Sequence, residues 1–346
     1  MTTVRAVGGP IATPGVAPAG TARSPMGLHP ALSRRSTRSA GVAIGLVSAM
    51  CFGTSGTFGT ALIGAGWSPA GAVLARVLVA ALALTVPAVL ALRGRWRALR
   101  RSAWQVTVYG LVGVAACQVC YFNAIARMPV GISIMLEYLG IVLIVLWLWV
   151  RHGQTPRPLT IGGGVAALGG LALMLNLTGA GGVSLTGVLF ALAAAVSMAV
   201  YFFQSAATSE TGGDGGASVG RSADLPPVVL TWGGMVVGSA SIALLGATRL
   251  MPLRFAGTDV ALFGGRTSWI VPVLGLGVLA AAIAYVTGIG AARRLGPKFG
   301  SFVAMAEIGF AVLFAWILLH QTPTAMQFVG GGLIMAGVIA VRLDEP

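Results

Sequence analysis

The chain has 346 residues, of which 56% are hydrophobic and only 9% are charged. A soluble domain is about 45–50% apolar and about 25% charged, so a soluble fold of this length could not cover the apolar surface. The formal charge of +14 does not indicate nucleic-acid binding, because the basic residues lie in short segments between apolar stretches and not on one hydrophilic face. The composition therefore indicates an integral membrane protein.

The N-terminal residues 1–39 are rich in Gly, Pro, Ala and Ser and contain no sustained apolar period. This composition is typical of disorder, and we expect a cytoplasmic tail. The run Ser33-Arg34-Arg35-Ser36 resembles a twin-arginine export signal, but it lacks the apolar residues and the cleavage site that such a signal requires. We interpret the arginines as an anchor for the first membrane span.

From residue 40 onward, apolar stretches of about 18 or more residues recur, and each can cross a hydrocarbon core about 30 Å thick. The sequence lacks the alternating strand pattern of a barrel, so the spans are predicted to be helices. We place ten spans, at residues 41–63, 70–92, 103–124, 131–150, 159–177, 186–206, 227–247, 269–291, 299–319 and 324–342. The expected fold class is an all-α integral membrane protein.

The basic residues predict the orientation. With the N-terminus inside, the opposite side holds only Arg127, Arg249, Arg254 and Arg266, while the other basic residues outside the spans fall on the cytoplasmic side. Because Lys and Arg are enriched in cytoplasmic loops, we expect a cytoplasmic-membrane protein, with both termini inside since ten is even. The polar, Gly-rich stretch 207–225 is predicted to be a flexible cytoplasmic linker; one miscounted span before it would invert the second half.

The two halves of the chain repeat each other. Glu137 lies about two turns into the fourth span, and Glu307 lies at a similar depth in the ninth. Five spans per half is an odd number, so the second half must be inverted relative to the first, as in many secondary transporters. We expect residues 40–178 to form one five-helix repeat and residues 186–206 with 226–342 to form the other.

Three ionisable residues fall inside predicted spans. At 1.5 Å per residue, Glu137 lies about 10 Å from the outer end of its helix and Glu307 about 12 Å from the inner end of its own. Arg76 lies within the second span. Such a group costs about 2.5–3.5 kcal/mol to insert and usually faces a cavity or a partner. The three residues are therefore either a functional site or a structural ion pair of Arg76 with one glutamate.

Polar and aromatic residues of neighbouring spans are candidates to line the same cavity and orient a substrate. The alternative is that they bridge helices or lie at the membrane interface. These candidates are Gln118, Tyr121, Asn123, Tyr138, Tyr201, Gln204 and Tyr285, together with Phe52. Cys51, Cys117 and Cys120 lie in apolar spans without further ligands nearby, so we interpret them as packing residues and expect no metal site.

Several short motifs keep a fixed order along the chain. They are Gly45 through Gly53, Leu74-Ala75-Arg76-Val77-Leu78, Tyr121-Phe122-Asn123-Ala124, Leu136-Glu137-Tyr138-Leu139-Gly140, Ser301-Phe302-Val303 through Glu307, Ala315-Trp316 and Gly330-Gly331-Gly332. In this order they resemble the EamA-type ten-helix members of the drug/metabolite transporter superfamily, over about residues 40–342. The run from Glu137 to Gly140 is similar to amino-acid exporters of that family. Members commonly show Gly-Glu at the end of span nine, where this chain has His320-Gln321.

The resemblance implies a secondary active transporter that exports small metabolites, such as amino acids or drugs, by alternating access with ion coupling or exchange. In our hypothesis Glu137, in a poorly hydrated cavity, exchanges a proton for substrate. The expected partners are a small-molecule substrate, protons and the lipid bilayer, with no cofactor and no nucleic acid. An intramembrane enzyme acting on a lipid or peptide is the alternative, but it needs a convergent catalytic set that the sequence does not show.

Overall fold

The structure is a computed structural model that describes residues 30–152, 157–175, 184–207, 225–262, 264–322 and 324–344. Its helices are α1 (Pro30–Gly64), α2 (Pro69–Leu92), α3 (Trp96–Arg101), α4 (Ala103–Val108), α5 (Cys117–Ile125), α6 (Val130–Tyr138), α7 (Gly140–His152), α8 (Pro158–Leu175), α9 (Leu185–Ala207), α10 (Pro227–Ala247), α11 (Ile270–Leu274), α12 (Ala284–Ala304), α13 (Ala306–Leu319) and α14 (Ala325–Asp344). The π-helical segments π1 (Tyr109–Ala116) and π2 (Gly275–Ile283) join α4 to α5 and α11 to α12. A short antiparallel hairpin, β1 (Val260–Leu262) and β2 (Gly265–Thr267), precedes α11.

Six helical stretches in the described residues are long and apolar enough to cross a membrane. They are Ser39–Gly64, Pro69–Leu92, Ala103–Ile125, Val130–Arg151, Pro227–Ala247 and Ile270–Ala291. Four shorter apolar helices, Pro158–Leu173, Leu185–Val200, Ala306–Leu319 and Ala325–Val341, fall at the other four predicted spans. The protein is therefore an all-α, multi-pass membrane protein, as its composition predicts.

The helices differ from the predicted spans at several points, and the predicted ninth span, for example, is broken at Met305. Helix α1 begins at Pro30, inside the predicted tail, and α12 continues through the predicted loop between spans eight and nine. Both stretches contain Ala, Leu and Arg, which favour helix, but α12 also continues through Gly296 and Pro297, whose local preference is against helix. The predicted fourth span is broken at Leu139, where a bond to the carbonyl of Leu136 makes a tighter turn. Residues 1–29 of the predicted tail and 208–224 of the predicted linker lie outside the described residues.

Proline and serine determine where several helices begin. Helices α2, α8 and α10 start at Pro69, Pro158 and Pro227, and proline suits the first helical turn because its missing N–H would have no partner there. At α2 the Ser68 hydroxyl also accepts a hydrogen bond from the Gly71 N–H at 3.1 Å. This N-cap satisfies one of the free donors of the first turn.

The helices of the two halves pack in a reciprocal pattern. Helix α1 contacts α12 and α13, and α9 in turn contacts π1, α5, α6 and α7. Helix α2 packs on α10, and α8 packs on α14. In terms of the predicted spans, span one contacts spans eight and nine, and span six correspondingly contacts spans three and four. Span two contacts span seven, and span five contacts span ten. Exchanging the halves leaves this pattern unchanged.

Helices α8 and α14 approach each other through facing glycines. A β-carbon built on Gly163 would lie 2.6 Å from the carbonyl oxygen of Gly337, and one built on Gly337 would meet the Gly163 carbonyl more closely still. Gly170 faces the carbonyl of Gly330 in the same way. Small residues let helix backbones come this close in membranes, where van der Waals packing drives association.

The segment between α10 and α11 folds back onto the turn between α1 and α2. The Trp67 indole Nε1–H donates to the Ala256 carbonyl at 2.7 Å, and its ring packs edge-on against Phe255 with centroids 5.2 Å apart. The Ser68 N–H donates to the Arg254 carbonyl at 3.0 Å, and the Arg254 N–H donates to the Ser68 hydroxyl at 2.9 Å. These contacts join the two halves at one end of the bundle.

The facing glycines give a stability prediction with a neighbouring control. We expect Gly163→Ala to lower the thermal unfolding midpoint of the purified protein in detergent, because the added carbon has no room against α14. A β-carbon on Gly162 meets no atom within 4 Å, so Gly162→Ala should keep or raise the midpoint, since Ala is favoured over Gly in helices by about 1 kcal/mol. Equal midpoints for the two variants would contradict this close approach.

Candidate functional site

The buried side chain of Arg76 lies at the centre of the candidate site. Only 4% of the residue is exposed. Its Nη1 donates to the Ser55 hydroxyl of α1 at 2.5 Å and to Oε1 of Gln118 in α5 at 2.6 Å, and its Nη2 donates to the Ala280 carbonyl of π2 at 3.1 Å. The guanidinium carbon also lies 5.9 Å from the ring centroid of Phe122, within cation–π range. Groups from both halves thus hold one cation.

The acceptors of Arg76 are all uncharged. Among the described residues, no nitrogen of this guanidinium makes an ion pair with Glu137 or Glu307 within 4.0 Å. Arg76 nevertheless interacts electrostatically with both glutamates, and with Tyr121 and Tyr285. Among the described residues, the ion pair of Arg76 with a glutamate, which the sequence left open as an alternative, is therefore absent. The site is instead one electrostatic cluster of five side chains, those of Arg76, Tyr121, Glu137, Tyr285 and Glu307.

Glu137 lies at the C-terminal end of α6 and is partly buried. Its Oε1 accepts a hydrogen bond from the buried Cys117 thiol at 3.2 Å, and the same sulfur lies 3.8 Å from the Ala194 carbonyl of α9. The chain turns at Leu139 before α7 begins. This carboxylate therefore stands beside a helix break, with a weak neutral donor as its partner.

Glu307 lies in the first turn of α13, directly after the turn at Met305 that ends α12. Its Oε2 accepts a hydrogen bond from the Tyr138 hydroxyl at 3.0 Å. Tyr138 follows Glu137 in α6, so this hydrogen bond connects the two glutamate sites. A carboxylate is favoured in the first turn of a helix by the helix dipole, and interrupted helices commonly form the binding sites of secondary transporters.

Both π-helical segments adjoin Arg76. Gln118 follows π1 by two residues, and Ala280 lies within π2. π-Helix is rare and is found frequently at functional sites. The two acceptors that lie outside α1 therefore come from the two spans that contain the described π-helical segments, one in each half.

Two of the predicted tyrosines belong to the cluster. Tyr121 is buried, and a β-carbon on Gly56 of α1 would lie 2.6 Å from its hydroxyl oxygen. Tyr285 packs edge-on against Phe52, with ring centroids 5.0 Å apart and an interplanar angle of 82°. Both tyrosines lie within electrostatic range of Arg76, so α5 and α12 each contribute an aromatic residue near the guanidinium, and Phe52 of α1 packs on the one from α12.

The structure does not bring every candidate to this cluster. The Asn123 Oδ1 accepts a hydrogen bond from Nη1 of Arg127 at 3.0 Å, which directs the amide to the end of the span. Tyr201 and Gln204 lie in the last turns of α9, and their side chains are outside what the structure describes. Among the described residues, no group of three or more His, Cys, Asp or Glu side chains could hold a metal ion.

Three groups of the site were missed in the sequence. Ser55 lies between small residues of an apolar span, and a buried hydroxyl in such a setting is a signal that could have identified it. Cys117 was interpreted as a packing residue, yet its thiol contacts Glu137. The Ala280 carbonyl is a backbone group, and no residue type in the sequence indicates that it is an acceptor for Arg76.

A bundle of apolar helices around a buried group of ionisable side chains is typical of a membrane transporter. The chain belongs to the EamA-like transporter family, whose model matches residues 39–176 and 185–343. The match confirms the resemblance to the EamA-type members of the drug/metabolite transporter superfamily, and it identifies a transporter and not an enzyme. Each matched stretch covers one half of the chain.

The chain is also similar to individual proteins. A Streptantibioticus cattleyicolor protein named "Probable terminal-alkyne amino-acid exporter" is 26% identical over 283 residues, which cover 80% of this chain and 85% of that protein. A protein of known crystal structure has a TM-score of 0.56 and 22% sequence identity, covering 88% of this chain and 97% of its own. This second likeness concerns the fold alone.

The hydrogen bonds of Arg76 predict unequal effects for two neighbouring hydroxyls. Ser55→Ala removes an acceptor, and an unsatisfied buried donor costs about 1–3 kcal/mol, with more for a charged group. Thr54 is also buried, but its hydroxyl donates to the Cys51 carbonyl of its own helix at 2.7 Å, so Thr54→Ala leaves no donor unsatisfied. We expect Ser55→Ala to lower the thermal unfolding midpoint in detergent distinctly more. Equal decreases would contradict the assigned role of Ser55.

Proposed function

We propose that this protein is a secondary active transporter that exports small polar metabolites, amino acids foremost, across the cytoplasmic membrane. The observation that carries the proposal is the cluster of one cation and two carboxylates, Arg76, Glu137 and Glu307, within helices of an EamA-family protein. Ionisable groups at such positions are costly and mark substrate or ion pathways in membrane proteins.

The charges of the cluster suit a zwitterion. Among the described residues Arg76 donates hydrogen bonds to uncharged acceptors alone, so its charge remains available to attract a substrate carboxylate. Glu137 and Glu307 each accept one hydrogen bond from a neutral donor, and a substrate ammonium can replace that donor. The name of the Streptantibioticus cattleyicolor relative, "Probable terminal-alkyne amino-acid exporter", supports the same substrate class.

Ten spans in two inverted repeats are part of the proposal. Residues 40–178 form the first repeat, and residues 186–206 with 226–342 form the second. The cytoplasmic tail (1–39) and the flexible linker (207–225) lie outside the repeats, and both termini are cytoplasmic. Two observations support this division: the two family matches and the helix packing that is unchanged by exchange of the halves.

The contact between Tyr138 and Glu307 is where substrate would act on the conformation. Helices α6 and α13 pack on each other, and this hydrogen bond connects them across the two halves. A substrate ammonium that pairs with Glu307 competes with the Tyr138 hydroxyl and weakens the contact, so the halves can rock about the site. A proton bound to Glu137 would exclude the ammonium from that carboxylate, which couples proton and substrate movement in opposite directions.

The direct test is uptake into inside-out vesicles from cells that overproduce the protein, with a mixed pool of radiolabelled amino acids. We expect accumulation under an imposed proton gradient and its collapse with an uncoupler. If the folded protein accumulates no amino acid, the substrate class is wrong and other metabolites or drugs become the candidates.

Neutral variants test the two carboxylates. We expect Glu137→Gln and Glu307→Gln to reach the membrane but to lose transport about tenfold or more, as a loss of about 1.4 kcal/mol in binding would produce. Asp259 is exposed between α10 and α11, so Asp259→Asn is the matched control and should transport normally. Normal gradient-driven accumulation by Glu137→Gln would rule out its role in proton coupling.

A further inference from the structure

A dense group of arginines lies at the junction between α2 and α4. It comprises Arg93, Arg95, Arg97, Arg100 and Arg101, all of which are exposed. Within the described part of the chain, none of these side chains has a hydrogen-bond or ion-pair partner, and the sequence contains no acidic residue before Glu137. With respect to the described residues, the guanidinium groups are therefore open to an external anion. We refer to these five residues as the arginine cluster.

The short helix α3 holds part of the arginine cluster in a fixed place. Its Ala98 and Leu99 side chains are partly buried against an apolar group of four residues, Leu92, Val106, Leu225 and Val229. Arg97, Arg100 and Arg101 are spaced three and four residues apart, which places them together on a helix surface. Because α3 is packed against the bundle through its apolar side, these three arginines project outward.

Two exposed tryptophans place this region at the membrane boundary. Trp96, the first residue of α3, is 51% exposed, and Trp104, in the first turn of α4, is 77% exposed. Tryptophan is enriched where hydrocarbon meets headgroups. Helix α2 ends at Leu92, and Leu90 just before it is half exposed on an apolar span. The arginine cluster therefore begins where the lipid-facing surface ends.

We propose that α3 and the arginine cluster bind the headgroups of anionic phospholipids in the adjacent leaflet. Arginine binds phosphate oxygens in bidentate geometry, and basic clusters next to a membrane span attract acidic lipids. A soluble anion would engage only the arginines, whereas a phospholipid also places its acyl chains against Trp96, Trp104 and Leu90. The general excess of arginine on one side of the membrane accounts for the charge of the cluster, and the exposed tryptophans beside it add the apolar contact that a bound phospholipid requires. The site is independent of the transported substrate.

The proposal is tested by native mass spectrometry of the full-length protein released from micelles containing equal amounts of phosphatidylglycerol and phosphatidylcholine. We expect several-fold more phosphatidylglycerol adducts than phosphatidylcholine adducts on the unaltered protein. The preference should weaken as salt is raised, because exposed charges are screened. Equal binding of the two lipids would overturn the proposal.

Variants locate the site. The triple variant Arg97→Gln/Arg100→Gln/Arg101→Gln should lose most of the preference. The control variant Arg249→Gln/Arg254→Gln/Arg266→Gln removes three exposed arginines from the segment between α10 and α11 and should retain it. Equal loss in both variants, or no loss in the first, would show that α3 is not the site.

A soluble competitor and milder variants complete the test. Glycerol 3-phosphate added at millimolar concentration should not displace the lipid adducts, and displacement would identify a site for soluble phosphates. Should the triple glutamine variant fail to fold, as judged by gel filtration, Trp96→Ala and Arg100→Gln replace it, and each is expected to reduce the preference partially. An unchanged preference in both of these folded variants would equally overturn the proposal.

Discussion

A guanidinium group stays charged in a protein and has five N–H donors but no acceptor, so a buried arginine must be surrounded by oxygen atoms. For Arg76 these oxygens come from α1, α5 and π2. The relative positions of these three segments and of α2, which carries Arg76, thus depend on one side chain. In this structure the first half does not satisfy Arg76 alone, because the Ala280 carbonyl belongs to the second, so this side chain contributes to the packing between the halves.

Uncharged acceptors leave the positive charge of Arg76 in place, whereas an ion pair would neutralise it. A carboxylate paired with Arg76 would neutralise the site and fix both side chains, and removing either partner would leave a buried charge. Here the positive charge remains, while among the described residues the two glutamates accept hydrogen bonds from a thiol and a phenol. In the proposed transport cycle a charged group of the substrate would replace these donors, so the cluster would combine a fixed cation with carboxylates that change their hydrogen-bond partners.

The sequence predicted those parts of the fold and site that depend on composition along the chain. The spans follow from hydrocarbon thickness, and Arg76, Glu137 and Glu307 are conspicuous because ionisable residues are costly in lipid. Contacts made in three dimensions could not be predicted. Gln118 and Asn123 are both amides in one span, yet only Gln118 contacts Arg76. The helix breaks and the π-helical turns depend on packing against neighbouring helices and not on local propensity.

The π-helical segments have a consequence for how such a site can change in evolution. A π-turn contains one more residue than an α-turn, and each residue in a helix rotates the following side chains by about 100°. Loss of one residue within π1 can be absorbed by conversion of the π-turn to a regular α-turn, which keeps Gln118 directed at Arg76, whereas loss of a residue from the regular turn before Gln118 would rotate it away. The π-helical segments are therefore places where the length of these spans can change by one residue while the contacts of Arg76 are kept.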